Sequence, residues 1–316
     1  MVFNATLPLS LKKVREIYHT PLLELVFRAS QVHRQNHNSY EVKASRLISV
    51  KTGNCVENCA YCAQSSLYNT GLDSPKMLKK EEVRQLALKA KNSGLSRVCL
   101  SASYKELPSG KAFESVLEMI KTVKDLGMDV CLTMGKVNEK QADALYKSGI
   151  KAYNHNIDTS ESFYPKVITS RTFKERIETL NKLSNSGVNI CSGGIIGMGE
   201  SAEDRVSMLY ALATLKKQPF TVPLNILVPV EGTPFADLKP IDAMEMVRMV
   251  ATTRIIMPKT NISLAAGRRE MGEAEQALCF LAGVNAIFIG EKLLTTSNTS
   301  PDEDLKMLEK LGVKLI

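Results

Sequence analysis

No tryptophan occurs among the 316 residues, and aromatic side chains make up only 6% of them. No basic run is interleaved with aromatics, as a surface that stacks single-stranded nucleic acid requires. The apolar runs are too short to span a bilayer, so no membrane role is expected. The opening MVFNATLPLSLKKVREIY lacks the basic start, apolar core and small-residue exit of a secretory signal. The cytoplasm is therefore the expected compartment, and disulfides are not expected in spite of seven cysteines. The glycine-rich G-x-G-x-x-G turn of dinucleotide-binding sheets is also missing after the first strand, which argues against a doubly wound open sheet. A net charge of +8 comes from lysines spread along helix faces such as KMLKKEEVRQLALKAK. That pattern reads as a solvated basic surface, with a nucleic-acid-modifying role as a lesser alternative and no nucleic-acid partner expected. With 44% hydrophobic and 23% charged residues, the composition suits one large α/β domain with a sizeable core.

Where the glycine turn is missing, GNCVENCAYCAQSS stands instead, with Cys55, Cys59 and Cys62 in a C-x3-C-x2-C pattern. Three thiolates this close can grip a compact metal cluster from one loop. A cubane iron–sulfur cluster normally takes four cysteines. Three leave one iron open to a small molecule, as catalytic zinc keeps a position free. A structural zinc site is the plainer alternative, but it wants a fourth nearby ligand, and His33 and His37 lie well upstream.

Residues 1–40 read as a helical extension, LKKVREIY followed after Pro21 by LLELVFRASQVHRQ. Its apolar positions Leu22, Leu23, Leu25, Val26 and Phe27 suggest that it caps a larger body, with His33 and His37 as surface or capping groups. From 41 to 316 a unit repeats. SRLISVKTG leads into the cysteine loop. Amphipathic helices then end at Gly94, Gly127, Gly149 and Gly187, as glycine does at a helix C-terminus. Short strands follow each: LSRVCLSAS, MDVCLTMG, IKAYNHNID and VNICSGGII. VPLNILVP, NISLAAG and NAIFIG continue the series, with helices near 201–216, 241–254 and 270–281. Thr172 and Glu175 form a capping box for a helix over 172–186. Cys279 reads as a buried helix residue. About eight strand–helix units without a linker make a single (β/α)8 barrel of the TIM type.

Side chains alternate across a strand, and in a barrel the apolar face meets the helices. The polar faces must then point inward: Arg97, Cys99 and Ser101; Asp129, Cys131 and Thr133; Asn154, Asn156 and Asp158; Asn189 and Cys191; Asn225; Ser263. Burying such groups without partners costs about 2–7 kcal/mol each, so something polar must fill the lumen. Cys99, Cys131 and Cys191 lie at similar depth, four or five residues after the glycines that precede them. Three such thiols among polar neighbours point to a second metal cluster.

Taken together, GNCVENCAYCAQSS, YNHNIDTS, CSGGIIGMGE, AAGRREM and LLTT resemble the biotin synthase family of radical S-adenosylmethionine (SAM) enzymes over nearly the whole chain. The resemblance implies a homodimeric (β/α)8 barrel and a sulfurtransferase that inserts sulfur into dethiobiotin, the last step of biotin biosynthesis. It implies a [4Fe-4S] cluster on Cys55, Cys59 and Cys62, with SAM chelating the open iron and yielding a 5′-deoxyadenosyl radical on reduction. Such a radical suits unactivated C–H bonds, which no side-chain base could deprotonate at useful rates. The likeness assigns Tyr61, Asn156, Asp158, Arg176 and Ile195 to SAM. It assigns Asn154 and Asn225 to the ureido ring of dethiobiotin, and Lys51, Thr295 and Thr296 to the carboxylate. Cys99, Cys131 and Cys191 would hold a sulfur-donating [2Fe-2S] cluster. An electron donor such as flavodoxin or ferredoxin is also implied. One departure stands out. The family pattern R-x-S-A-G-R supplies an arginine ligand, but this chain reads SLAAGR with Ser263 in its place. The fourth ligand is open to Ser263, water, Arg97 or Arg268. A radical SAM mutase or cluster-maturation enzyme and an iron–sulfur electron carrier are the alternatives. The former often lacks the lumen cysteines, and the latter has no use for a lumen lined with amides.

Overall fold

The computed structural model describes residues 9–316; the first eight residues of the expected 1–40 extension lie outside the described residues. Two helices come first, α1 (Leu11–Tyr18) and α2 (Leu22–Asn36). Ser10 caps α1 by accepting from the Lys13 amide. Pro21, which cannot donate an amide proton, separates the two.

Strands and helices then alternate: β1 (Glu41–Lys51), α3 (Lys80–Asn92), β2 (Arg97–Ala102), α4 (Lys111–Lys124), β3 (Asp129–Thr133), α5 (Glu139–Lys147) and β4 (Ala152–Asn154). The short α6 (Tyr164–Val167) and α7 (Phe173–Asn185) lead to β5 (Ile190–Cys191) and β6 (Gly194–Ile196), two pieces of one stave. After α8 (Ala202–Ala213) come β7 (Thr221–Ile226), α9 (Ala243–Ile256), β8 (Asn261–Leu264), α10 (Glu273–Ala282) and β9 (Ala286–Phe288). A hairpin of β10 (Lys292–Leu293) and β11 (Thr296–Ser297), then α11 (Pro301–Lys310) and β12 (Lys314–Leu315), complete the chain. Adjacent staves pair in parallel, and β9 returns to β1 through Lys43↔Ala286 and Ala44↔Ile287. The sheet is a closed eight-stave barrel.

The local grammar of the sequence produces this alternation. Gly94, Gly127, Gly149 and Gly187 all have positive φ, between +71° and +89°, and turn the chain from helix to strand. Thr172 and Glu175 form a reciprocal capping box at the start of α7, and Ser201 with Asp204 does the same for α8. Val98, Leu100, Val130, Leu132 and Tyr153 face the helices and build the core between the two layers.

α2 packs on α9 and α10 and covers the barrel floor. Leu25, Val26, Ala29 and His33 are buried, whereas Leu23 and Phe27 remain 79% and 59% exposed. Not all of the expected capping side chains therefore point inward. His33 is buried and not a surface group, whereas His37 is half-buried and forms the C-cap of α2, as expected of a capping group. They stack with ring centroids 5.4 Å apart, and His37 sits between the Pro258 carbonyl (3.0 Å) and the Asn285 amide (3.1 Å). Burial, together with the charge of Arg254, pushes His33 down to about 3 and His37 to about 4. Unfolded histidines ionise near about pH 6.5, so below that pH the unfolded chain binds more protons. Folding stability should therefore fall as pH drops from about 6.5 towards those folded values. Urea midpoints measured across this range should decline with acid, and His33→Gln should flatten the decline. A midpoint equally steep in the variant would show that His33 is not the linked group.

Candidate functional site

The C-terminal ends of the staves surround a cavity of about 380 Å³ that runs from the cysteine loop down into the lumen. The loop leaves β1 through Gly53 and Asn54, both at positive φ. It closes on itself through Cys55 N–H to the Gln64 carbonyl (2.9 Å) and Ser66 N–H to the Cys55 carbonyl (2.7 Å). The segment after α6 then clamps it. Asn58 Oδ1 accepts from the amides of Thr169 (3.0 Å) and Ser170 (2.9 Å), and the Ala60 amide donates to the Val167 carbonyl (2.9 Å). Beneath it, Arg171 pairs with Glu57 at 2.7 Å, both side chains almost wholly buried. Arg171 also donates to the Lys105 carbonyl.

Cys55, Cys59 and Cys62 are free thiols lining one end of the cavity. Burial drives the Cys59 thiol up strongly and Cys62 to about 11. The thiolate forms these residues need for ligation are thus costly unless a cation compensates them, and a metal does so while deprotonating the thiol. Among the described residues, no three His, Cys, Asp or Glu side chains converge closely enough to hold a single ion. The donor set fits a sulfur-bridged cluster, which spreads its charge over several irons.

Tyr61, Asn156, Asp158, Arg176 and Ile195 all line the same cavity. Asp158 is fully buried with φ +68°, a left-handed conformation costing about 1–3 kcal/mol in a non-glycine residue. Arg176 pairs with its carboxylate at 2.9 Å and donates from Nε to the Tyr164 hydroxyl (2.9 Å). The Asp158 carbonyl accepts from the Ile195 amide at 2.9 Å. This approach is why CSGG breaks the fifth stave. A Cβ on Gly193 would lie 1.9 Å from the Pro223 carbonyl, and one on Gly194 would lie 2.5 Å from the Asp158 carbonyl. Glu200 fixes the following turn by accepting from the amides of Gly197 (3.0 Å) and Met198 (2.8 Å).

Deeper in the lumen, Cys99 and Cys131 are direct neighbours across β2 and β3, and Cys191 pairs in register with Asn154. The three thiols form one buried cluster with Ala152. The adjacent Cys131 thiol and then burial raise Cys99, Cys99 in turn lowers Cys131, and burial raises Cys191 to about 12. Arg97, Asn154, Asn225, Ser263, Thr295 and Thr296 share the cavity. Both asparagines already spend part of their capacity. Asn154 Nδ2 donates to Asn156 Oδ1 (2.9 Å), while Asn225 donates to the Gly194 carbonyl (3.0 Å) and accepts from Ala266 N–H (3.0 Å).

Three expectations need correction. Lys51 does not line the cavity: its ammonium is taken up by the carbonyls of Gly53 (2.9 Å) and Ser103 (3.1 Å) and by the Ser103 hydroxyl (2.9 Å). Arg268 is no candidate fourth ligand, because both of its terminal nitrogens hold Asp304 at 2.5 Å outside the lumen. Asp129 sits half-exposed at the barrel floor between Arg97 (3.3 Å) and Lys151 (3.4 Å). The sequence reading also missed Glu57, Asn58, Arg171 and His155. Glu57 and Asn58 stood in plain view inside the cysteine motif, but their partners lie more than a hundred residues away. His155 lies just past the end of β4, where strand alternation no longer holds, and lines the cavity beside Asn154 and Asn156.

A parallel barrel with a three-cysteine loop at its C-terminal mouth and a second thiol set in its lumen defines a radical SAM enzyme. A family model described as "Radical SAM superfamily" matches residues 49–212, and one described as "Biotin and Thiamin Synthesis associated domain" matches 223–314. The chain belongs to the biotin synthase family: it is 49% identical over 306 residues to a biotin synthase of Synechococcus sp. (strain JA-3-3Ab), covering 97% of this chain and 99% of that one. It is 50% identical over 297 residues to a biotin synthase of Flavobacterium johnsoniae, covering 94% and 82%. The barrel also superimposes on a crystal structure of methylornithine synthase with a TM-score of 0.81 at 18% identity, covering 98% of this chain and 95% of that one. That likeness concerns the fold alone.

Replacing Arg171 by leucine should leave the Glu57 carboxylate buried without its counter-charge, at a cost of about 3–5 kcal/mol. Chemical denaturation and iron retained after anaerobic reconstitution should both drop. Full iron retention in a destabilised variant would show that the pair supports the fold and not the cysteine loop.

Proposed function

We propose that the chain catalyses sulfur insertion into dethiobiotin, with Cys55, Cys59 and Cys62 holding a [4Fe-4S] cluster and Cys99, Cys131 and Cys191 a [2Fe-2S] cluster. The observation that carries this reading is the opening of both thiol sets into one cavity, which the SAM-assigned residues also line. When bound, the first cluster supplies the electron that splits SAM into methionine and a carbon radical, and the second supplies sulfur.

The remaining work falls to the protein's own side chains. Asp158, paired with Arg176, presents an acceptor to the ribose hydroxyls, and Asn156, whose Oδ1 already accepts from Asn154 and from the Gly193 amide, offers them its N–H donors. Arg176 retains donors for the SAM carboxylate, and Ile195 offers an apolar face to adenine. Asn154 keeps its carbonyl oxygen for the ureido ring, its Nδ2 donating to Asn156 and, at 3.5 Å, to the Cys191 carbonyl, and Asn225 keeps one N–H and one acceptor lone pair. Thr295 and Thr296 sit at the rim to receive the acid end of the substrate. Lys51 contributes there by anchoring the Gly53 and Ser103 carbonyls, a role in shaping the rim. His155, kept neutral by burial and by Arg176 and Arg171, adds no charge beside SAM.

The first strand starts at Glu41, which supports reading 1–40 as an extension on a barrel of 41–316. Family likeness supports a homodimer, a flavodoxin or ferredoxin as electron donor, and a cytoplasmic location. Among the described residues, no helix is long and apolar enough to cross a membrane. A mutase or maturase fits less well, because three matched lumen thiols have no task in such chemistry. An electron carrier has no use for a cavity of this size.

Alanine at Cys99, Cys131 or Cys191 should leave reductive SAM cleavage within a few-fold of wild type and abolish biotin formation. Biotin produced by any of the three would refute the donor assignment. Asn154→Ala should weaken dethiobiotin binding about 10–100-fold, for about 1–3 kcal/mol of lost hydrogen bonding, and SAM binding far less. Equal losses for both ligands would remove Asn154 from the substrate.

A further inference from the structure

The lumen holds a cation that the roles assigned so far do not use. Arg97 lies two residues before Cys99 on β2, hence on the same inward face and about 7 Å down the strand. Its side chain is only 15% exposed and lines the cavity. The guanidinium reaches one carboxylate, Asp129, at a long 3.3 Å, and that carboxylate is 42% exposed and shared with Lys151. The buried Nε–H of Arg97 has no hydrogen-bond partner. The neighbouring Lys43 is already engaged, donating to Asn261 Oδ1 at 2.6 Å. Arg97 is also the cation whose field acts on Cys99, Cys131 and Cys191 alike. Ser263, opposite on β8, is small, uncharged and paired in register with Pro223 and Ala286.

Three thiolates and the sulfides of an iron–sulfur cluster carry a net negative charge in a site of low polarity. Hydrogen bonds and charge near the sulfurs are the protein's means of holding such a cluster and setting its potential. A guanidinium has five N–H donors. The unpartnered Nε–H of Arg97 is therefore available to a sulfur.

We propose that Arg97, and not Ser263, is the positioning residue of the lumen site, its free Nε–H donating to the anionic sulfur of the group held by Cys99, Cys131 and Cys191. This rests on the two-cluster reading above.

The test uses anaerobically reconstituted full-length protein: wild type, Arg97→Met, Arg97→Lys and Ser263→Ala. Circular dichroism verifies folding, iron and sulfide are counted per chain, and the lumen cluster is titrated by visible absorption against a redox mediator. Loss of a positive charge and a donor disfavours the reduced form. Arg97→Met should therefore shift the reduction equilibrium at least about tenfold, about 59 mV more negative for one electron. Arg97→Lys should shift it less, and Ser263→Ala should leave it near wild type. A folded Arg97→Met chain that loses only the lumen iron, with Arg97→Lys restoring it, also supports the proposal. An unchanged potential in Arg97→Met, lumen iron lost equally in Arg97→Met and Arg97→Lys, or a Ser263→Ala shift as large as that of Arg97→Met overturns it. A wild-type chain that takes up iron only at the first site overturns the two-cluster reading itself, and that failure is visible before any variant is compared.

Discussion

Six thiols in a low-dielectric enclosure are the constraint around which the molecule is built. Burial is the main reason that the Cys62 thiol rises to about 11 and that of Cys191 to about 12. A cation that displaces the thiol protons converts the same burial into binding energy, because each thiolate then gains in low dielectric what it lost in hydration. The barrel suits this task. Its alternation sends Val98, Leu100, Val130 and Leu132 to the helices, which frees Cys99, Cys131 and their polar neighbours for the inside. A conventional barrel would fill the lumen with branched apolar side chains. Here the core lies between the staves and the helices, and the lumen is left for a ligand.

The mouth of the barrel is held more rigidly than a loop of this length would suggest. The cysteine loop has little secondary structure, yet Glu57 and Asn58 fasten it to residues 169–171 by a buried ion pair and a pair of amide hydrogen bonds. Breaking a buried pair costs far more than an exposed one would, so the three loop thiols keep a fixed relation to the lumen. Next to them, Asp158 keeps its left-handed backbone because Gly193 and Gly194 allow the fifth stave to approach within hydrogen-bonding distance. Strain of this kind persists only where the surroundings over-determine it. Arg176 and the Ile195 amide supply that determination.

Much of this was legible in the chain. Glycines at the ends of helices marked the repeat, and the polar parity of LSRVCLSAS and MDVCLTMG put thiols on one face because a strand has a strict period of two. Alternation failed where the strand did. β4 ends at Asn154, so His155, which strict alternation would turn away from the lumen, lines the cavity as well. Charges with distant partners were equally opaque. Nothing local tells Arg268 that Asp304 lies beside it in space, or tells Lys51 that Ser103 closes over it. The extension showed the same limit. Its apolar run looked like a continuous cap, but a helix turns by 100° per residue, which buries Leu25 and Val26 and leaves Leu23 and Phe27 outside.

Mössbauer spectroscopy of the wild-type chain after anaerobic reconstitution with iron-57 and sulfide bears most directly on whether one cavity serves two sulfur-ligated sites. The account predicts two superimposed ferric-containing signals, one of the [4Fe-4S] type and one of the [2Fe-2S] type. SAM should perturb only the first, through its open iron. A single cluster signal, or a second signal that SAM perturbs equally, would contradict it.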